Sequence, residues 1–389
     1  MKNEPNIRIK GFEGEWKECT FNNLVDRISS YSSSKSLPTV EFEDIISGEN
    51  RLNKDVYSKP IHKGGIAFEK NDVLFGKLRP YLKNILFATF NGIAVGDFWV
   101  LRANESYPAF VYTLVNNKSF MDVANISSGS KMPRADWNLV SKHKFLVPSF
   151  FEQRAIATYF RHLDSLIEIA DKKVASLKQV KEASLQSMFP KERQKVPEVR
   201  FKGFEGEWKV CQGEDLFETY NERNRPDLPV LSAFQDIRGM AVRSDSGYEI
   251  SHNKRNEVTY KVVKPGQFVM HLRSFQGGFA HSSIEGITSP AYTVFGFKES
   301  NANNDYYWKT IFMSKEFIDR LKTITYGIRD GRSISFPEFL KMKFRVPSID
   351  EQRKIASFFV HLDKQIAIAQ QRLDLLRRIK SACLDGMFV

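Results

Sequence analysis

The chain has 389 residues, a formal net charge of +12 and a pI near 9.4, with 42% apolar and 27% charged residues. That composition suits soluble cores, excludes a disordered polar chain, and contains no run of about 18 apolar residues that could span a membrane. The basic balance points to a polyanionic partner, nucleic acid first.

In chain order, the first feature is a short repeat. RIKGFEGEWK at Arg8–Lys17 returns as RFKGFEGEWK at Arg200–Lys209, an offset of 200 − 8 = 192. The Gly-Phe-Glu-Gly string reads as a turn leading into a strand near Trp16 or Trp208. Cys19 and Cys211 correspond as well, which favours a packing role for both. With Cys383 they make three cysteines and no CxxC pair, as expected for reduced thiols in a cytosol rather than a disulfide or zinc scaffold. The opening MKNEPNIRIKGF has no apolar core of the kind an export signal needs.

From Thr20 to Leu146 short β-like runs occur at Gly65–Phe68, Val73–Phe75, Ile85–Phe90 and Phe98–Leu101. Pro108–Asn116 reads as an amphipathic helix with proline near its start. A Gly/Ser loop, Ser127–Arg134, follows. The stretch from Val210 to Arg345 repeats this order. Val263–Arg273 stands where Phe68–Arg79 stood, Ser282–Gly296 is β-like, Asp305–Leu321 is helical, and Tyr326–Ser335 is the Gly/Arg loop.

Val147–Phe160, VPSFFEQRAIATYF, returns at Val346–Phe359 as VPSIDEQRKIASFF, an offset of 346 − 147 = 199. The match runs without a gap to Met-Phe at Met188–Phe189 and Met387–Phe388. Ser149 with Glu152, and Ser348 with Glu351, fit capping boxes. Apolar positions then step by four and three through Ile156, Phe160, Leu163, Ile167, Ala170, Val174 and Leu177. The second copy runs Ile355, Phe359, Leu362, Ile366, Ala369, Leu373 and Leu376. This is a heptad seam, interrupted next by Lys181 and Lys380, where a charge can set register. About 37 helical residues make a rod of roughly 55 Å.

The expected fold is therefore α+β: two similar α/β domains separated by two long antiparallel coiled-coil helices, an internal pseudo-twofold repeat. The boundaries are 1–147 for the first domain, 148–190 for the first helix, 191–346 for the second domain and 347–389 for the second helix.

Duplicated variable domains, each followed by a Pro-x-x-x-Glu-Gln-x-x-Ile helix ending in Met-Phe, resemble the specificity subunit of type I restriction–modification systems. FEGEW twice, LFGKLRPYL at Leu74–Leu82, the two EQR segments and the heptad helices carry the resemblance across essentially the whole chain. The family often has Pro-Pro before its Glu-Gln; here Ser149 and Ser348 hold the second place, and serine is at least as good a cap. The resemblance implies that each domain is a target-recognition domain reading one half of a split double-stranded DNA sequence. The helices set the unread spacer. The chain does no chemistry, docks two methyltransferase subunits, and is joined by restriction and motor subunits in the cytoplasm. S-adenosylmethionine, ATP and Mg²⁺ would bind those partners and not this chain.

The residues agree with a non-catalytic reading. The nearest approach to an adenine methyltransferase Asp/Asn-Pro-Pro-Tyr/Phe loop is Ser289-Pro290-Ala291-Tyr292, which lacks the second proline. There is no G-x-x-x-x-G-K-S/T loop and no HExxH, and Pro226-Asp227 lacks a following Asp/Glu-x-Lys. His162 and His361, duplicated in HLD, read as helix-surface residues. Two rivals stand beside this reading: a coiled-coil adaptor that binds only proteins, and a self-contained DNA methyltransferase or nuclease.

Base reading needs cations on phosphates and side chains at base edges. In the first domain the candidates are Lys77, Arg79 and Lys83 interleaved with Tyr81, and the loop residues Ser130, Lys131 and Arg134. In the second they are His271, Arg273 and Gln276, with Arg329, Arg332 and Ser333. Arg79 and Arg273 could equally be held by a carboxylate inside each domain. Glu152, Gln153, Glu351 and Gln352 are candidates for docking the methyltransferase partner, although capping alone explains the glutamates.

Overall fold

The structure is a computed structural model that describes residues 4–59, 63–126, 132–191, 194–234, 239–246, 254–271, 278–321, 325–326 and 333–388. The chain divides into two compact units, one of residues 1–171 with 371–389, the other of residues 172–370. Each long helix, Phe150–Ser187 and Ile349–Gly386, therefore starts in one unit and ends in the other.

In the first unit, strands Val25–Ile28, Phe98–Ala103, Val73–Gly76 and Ile85–Phe87 lie side by side in that order, all antiparallel. Their side chains alternate between two faces, as the pleat requires. Val73, Phe75, Ile85, Trp99 and Leu101 pack under helices Pro108–Asn116 and Lys118–Ala124. Leu74, Leu86, Phe98 and Val100 face a second cluster with Val40, Ile45 and Phe68. Both faces being covered, the central strand Val73–Gly76 is buried at every position and reads as an unbroken apolar run.

The second unit repeats the sheet with strands Phe217–Tyr220, Thr293–Phe297, Phe268–Met270 and Phe279–His281 in the same order. A two-stranded ribbon closes each domain: Lys17–Thr20 pairs with Lys144–Val147, and Lys209–Gln212 with Lys343–Val346. The registers match, with Cys19 opposite Phe145 and Cys211 opposite Phe344. Both cysteines are partly buried against the core, and burial pushes both thiols up.

Two expectations change in detail. Asp305–Leu321 is not one helix but two, Asp305–Phe312 and Lys315–Leu321, because the Ser314 hydroxyl accepts from the Phe317 amide and starts a new helix. Asn117 makes the same break in the first unit by accepting from the Ser119 amide. The capping boxes are half formed: Ser149 and Ser348 accept from the Glu152 and Glu351 amides at 3.4 Å, but the glutamate carboxylates turn elsewhere.

Most seam residues are buried as the heptad requires, Ile156, Phe160, Leu163, Ala170, Val174 and Leu177 on one helix and Ile355, Phe359, Leu362 and Leu373 on the other, while Ile167, Ile366, Ala369 and Leu376 are half-buried. Pairing is antiparallel within each unit. In the first, Tyr159 meets Cys383, Asp164 meets Lys380 at 2.6 Å, and Asp171 meets Arg377, so each step forward on one helix is a step back on the other. In the second, Lys181 meets Asp363 at 2.6 Å. Each seam lysine thus finds the aspartate of an HLD motif, which gives the polar seam positions their register role.

The Met-Phe ends complete the cores. Phe388 stacks on Phe110 and meets Trp16 edge-on in the first unit; Phe189 packs on Tyr307 and meets Trp208 edge-on in the second. No described helix is long and apolar enough to cross a membrane.

Candidate nucleic-acid interface

Strand Val73–Gly76 runs out into Lys77-Leu78-Arg79, and a single 3-10 turn at Pro80–Leu82 follows. Arg79 and Lys83 flank that turn in left-handed conformation, with φ of +49° and +51°. Such a conformation costs a non-glycine residue about 1–2 kcal/mol. Backbone bonds over-determine it: Leu82 donates to the Arg79 carbonyl, Lys83 to Pro80, and Gly48 to Lys83. Pro80 is buried beneath, so the turn presents Arg79, Tyr81 and Leu82 outward, with Tyr81 55% exposed. Strain kept by surrounding structure is a mark of functional loops.

The second candidate segment comes to the same place. Arg134 bridges Leu78 as an antiparallel partner, Arg79 donates its amide to the Pro133 carbonyl, and Ala135 donates to Lys77. Residues more than fifty positions apart in sequence thereby form one surface. Lys77 and Arg134 both approach Asp97, at 3.5 and 3.0 Å. Arg79 has no carboxylate partner among the described residues, so the internal pairing weighed for it is not seen there. Ser130 and Lys131 lie outside the described residues.

In the second unit, His271 follows strand Phe268–Met270 and is 9% exposed, its ring 6.0 Å from Tyr292. It is turned into the fold rather than toward solvent. Ser333 belongs to a strand, Ser333–Ile334, paired with Thr325–Tyr326, so the described ends of the expected Gly/Arg loop form a ribbon. Arg273, Gln276, Arg329 and Arg332 lie outside the described residues.

Glu152, Gln153, Glu351 and Gln352 sit inside the fold, at most 5% exposed. Arg8 grips Glu152 through two hydrogen bonds of 2.8 and 2.9 Å and donates a third to the Gly14 carbonyl. Arg200 repeats this on Glu351 and Gly206. The Gln153 side chain accepts from the Tyr107 amide and donates to the Pro148 carbonyl; Gln352 does the same with Asn304 and Pro347. Glutamate thus ties the helix start to the FEGEW turn, and glutamine ties it to the helix that follows the sheet. The near-identity of RIKGFEGEWK and RFKGFEGEWK, each opening on the arginine, was the sequence signal for this joint. Asp97 carried no such signal, because its partners are assembled only by the fold.

The protonation of the first unit's buried Asp44 follows from the same kind of packing. Burial alone would raise its carboxyl, but hydrogen bonds from Lys59, the Glu41 amide and Lys54 outweigh burial and hold it below the ordinary aspartate value. The duplicated histidine of the second helix, His361, is exposed and accepts from or donates to Gln365 at 2.8 Å, as a helix-surface residue does.

Comparison with known proteins gives four matches. Residues 206–378 match the family model of the type I restriction modification DNA specificity domain. The type I restriction enzyme MjaVIII specificity subunit of Methanocaldococcus jannaschii is 21% identical over 291 residues, covering 70% of this chain and 67% of the relative. Among solved structures, the S subunit of a type I restriction–modification system from M. genitalium superposes with a TM-score of 0.64 at 12% identity, covering 99% of both chains. A chain from a study of complex assembly and conformational transition in a type I system gives 0.52 at 15% identity, covering 95% of this chain and 96% of that one. At such identities the two structures speak for the fold.

Proposed function

We propose that this chain belongs to the specificity subunits of type I restriction–modification systems, which its matches resemble, and is the non-catalytic, DNA-reading subunit of such a complex. Residues 1–147 and 191–346 act as two target-recognition domains, each reading one half of a bipartite double-stranded target. Residues 148–190 and 347–389 form the spacer helices that set the unread interval and dock two methyltransferase subunits. Restriction and motor subunits join that core for cleavage. S-adenosylmethionine, ATP and Mg²⁺ belong to the partners, and the complex works in the cytoplasm.

The observation that carries the reading is the repeated joint. In both units an Arg–Glu pair and a Gln bridge lock the start of a long helix to a mixed domain whose sheet order is the same. Two matched modules, each tied to the start of a long helix, suit a target with two half-sites. In the first module, Lys77, Arg79, Lys83 and Arg134 supply phosphate contacts, and Tyr81 projects between them toward the bases. Glu152, Gln153, Glu351 and Gln352 serve the partner dock from within, by holding the helix starts in place.

Single-molecule sequencing of DNA methylated by the complex tests this. The expected product is a split motif with an unspecified spacer. Inserting one heptad, about 10.5 Å, into each helix should lengthen that spacer by about three base pairs at about 3.4 Å each. A contiguous motif, or a spacer indifferent to the insertion, refutes the reading.

A further inference from the structure

The candidate interface of the first unit contains a carboxylate at its centre. Gly96, with φ of +99° and nothing within 4 Å of where a Cβ would sit, turns the chain sharply and delivers Asp97 ahead of strand Phe98–Ala103. The Asp97 carbonyl accepts from the Lys77 amide, which fixes the residue against the strand that leads to Arg79. Its side chain then reaches Lys77 at 3.5 Å and Arg134 at 3.0 Å. The three side chains are 29%, 33% and 56% exposed, so water and DNA both reach them.

We propose that Asp97 is a specificity-determining residue, a built-in competitor that keeps Lys77 and Arg134 from gripping any phosphate that arrives. This rests on the reading of this surface as the DNA interface. An exposed ion pair is weakly held, so a phosphate can replace Asp97 as partner. The displaced carboxylate cannot leave, because its backbone is pinned, and it stays beside the incoming phosphate with like charge. Random duplex meets that repulsion with nothing to offset it. A cognate half-site offsets it through base contacts elsewhere on the surface, from Tyr81. Discrimination is a difference of affinities, and a repulsive group aimed at the wrong ligand widens it. Asp97 acts here through charge on the two cations and the phosphate, with no base contact of its own required.

The test compares the full-length wild-type chain with Asp97→Asn, Asp97→Glu and the triple variant Asp97→Asn, Lys77→Ala, Arg134→Ala. Each is titrated with a duplex carrying the methylated motif and with a scrambled duplex of equal length, across a range of salt. Asn keeps the shape and removes the charge. The expected result for Asp97→Asn is about tenfold tighter binding to scrambled duplex, a smaller gain on the motif, and a log–log salt slope steeper by about one. Asp97→Glu should behave as wild type, and the triple variant should lose the gain. An unchanged slope and ratio in Asp97→Asn, or equal weakening on both duplexes, overturns the proposal while leaving the DNA-reading function intact. A wild-type chain that binds neither duplex in a salt-dependent way overturns both.

Discussion

Replacing Arg8 with alanine should loosen the first unit far more than a surface substitution would. Arg8 meets Glu152 in a two-point grip of 2.8 and 2.9 Å, with the glutamate side chain 3% exposed and the arginine 18%. Removing the arginine leaves a carboxylate in the interior without its counter-ion. Breaking such a pair costs about 3–5 kcal/mol when both partners are fully buried. The guanidinium keeps some contact with water, so about 2–3 kcal/mol is the fitting figure. For a unit of 150–250 residues each kcal/mol moves the melting temperature by about 2–4 °C, which gives a fall of about 4–12 °C. Differential scanning calorimetry of the full chain measures it. The duplicated grip supplies an internal comparison: Arg200→Ala should do to the second unit what Arg8→Ala does to the first, since the Arg200–Glu351 pair has 18% and 2% exposure. The double variant Arg8→Met, Glu152→Leu should recover much of the loss, because no charge is stranded. A single variant that melts within about 1 °C of wild type, or a double variant as damaged as the single, refutes the reasoning.

Phe388→Ala should cost the first unit about 3–5 kcal/mol, since the ring is 7% exposed and packs on Trp16 and Phe110; urea unfolding should show the loss, and a midpoint unchanged from wild type counts against the tail as part of that core. Asp44, held below its ordinary value, contributes stability that is fully present above the unfolded aspartate value of about 3.9 and is lost as pH falls through the folded value. The stability gap between wild type and Asp44→Asn should therefore be wide at pH 7 and shrink as pH falls below about 4; a gap that does not change with pH removes the linkage.

Much of this molecule is legible from contacts a few residues long. The period of three and four that marks Ile156 to Leu177 needs only the helix, and all of those seam positions but the half-buried Ile167 are buried. The strand Gly65–Phe68 and the helix Pro108–Asn116 keep the bounds their composition suggests, while Ile85–Phe90 stops pairing at Phe87. Lys181 and Lys380 stand out in the seam as charges that need partners. The duplication itself is a property of the string of residues, and it made Arg8 and Arg200, Trp16 and Trp208, Phe189 and Phe388 recognisable as pairs.

What no local rule could supply was the identity of each long-range partner. A capping box predicts that Glu152 turns back to Ser149, yet an arginine 144 residues away holds the carboxylate, because a bidentate guanidinium outbids one amide. Phe388 could have closed either core on composition alone; antiparallel pairing brings it to Trp16, at the far end of the chain. Asp97 acquires meaning only once Lys77 and Arg134 are folded to either side of it. Periodicity and capping are decided within a turn or a strand, so sequence determines them. Which opposite charge or which ring meets another across the fold depends on topology and register, and those exist only when the whole chain is assembled.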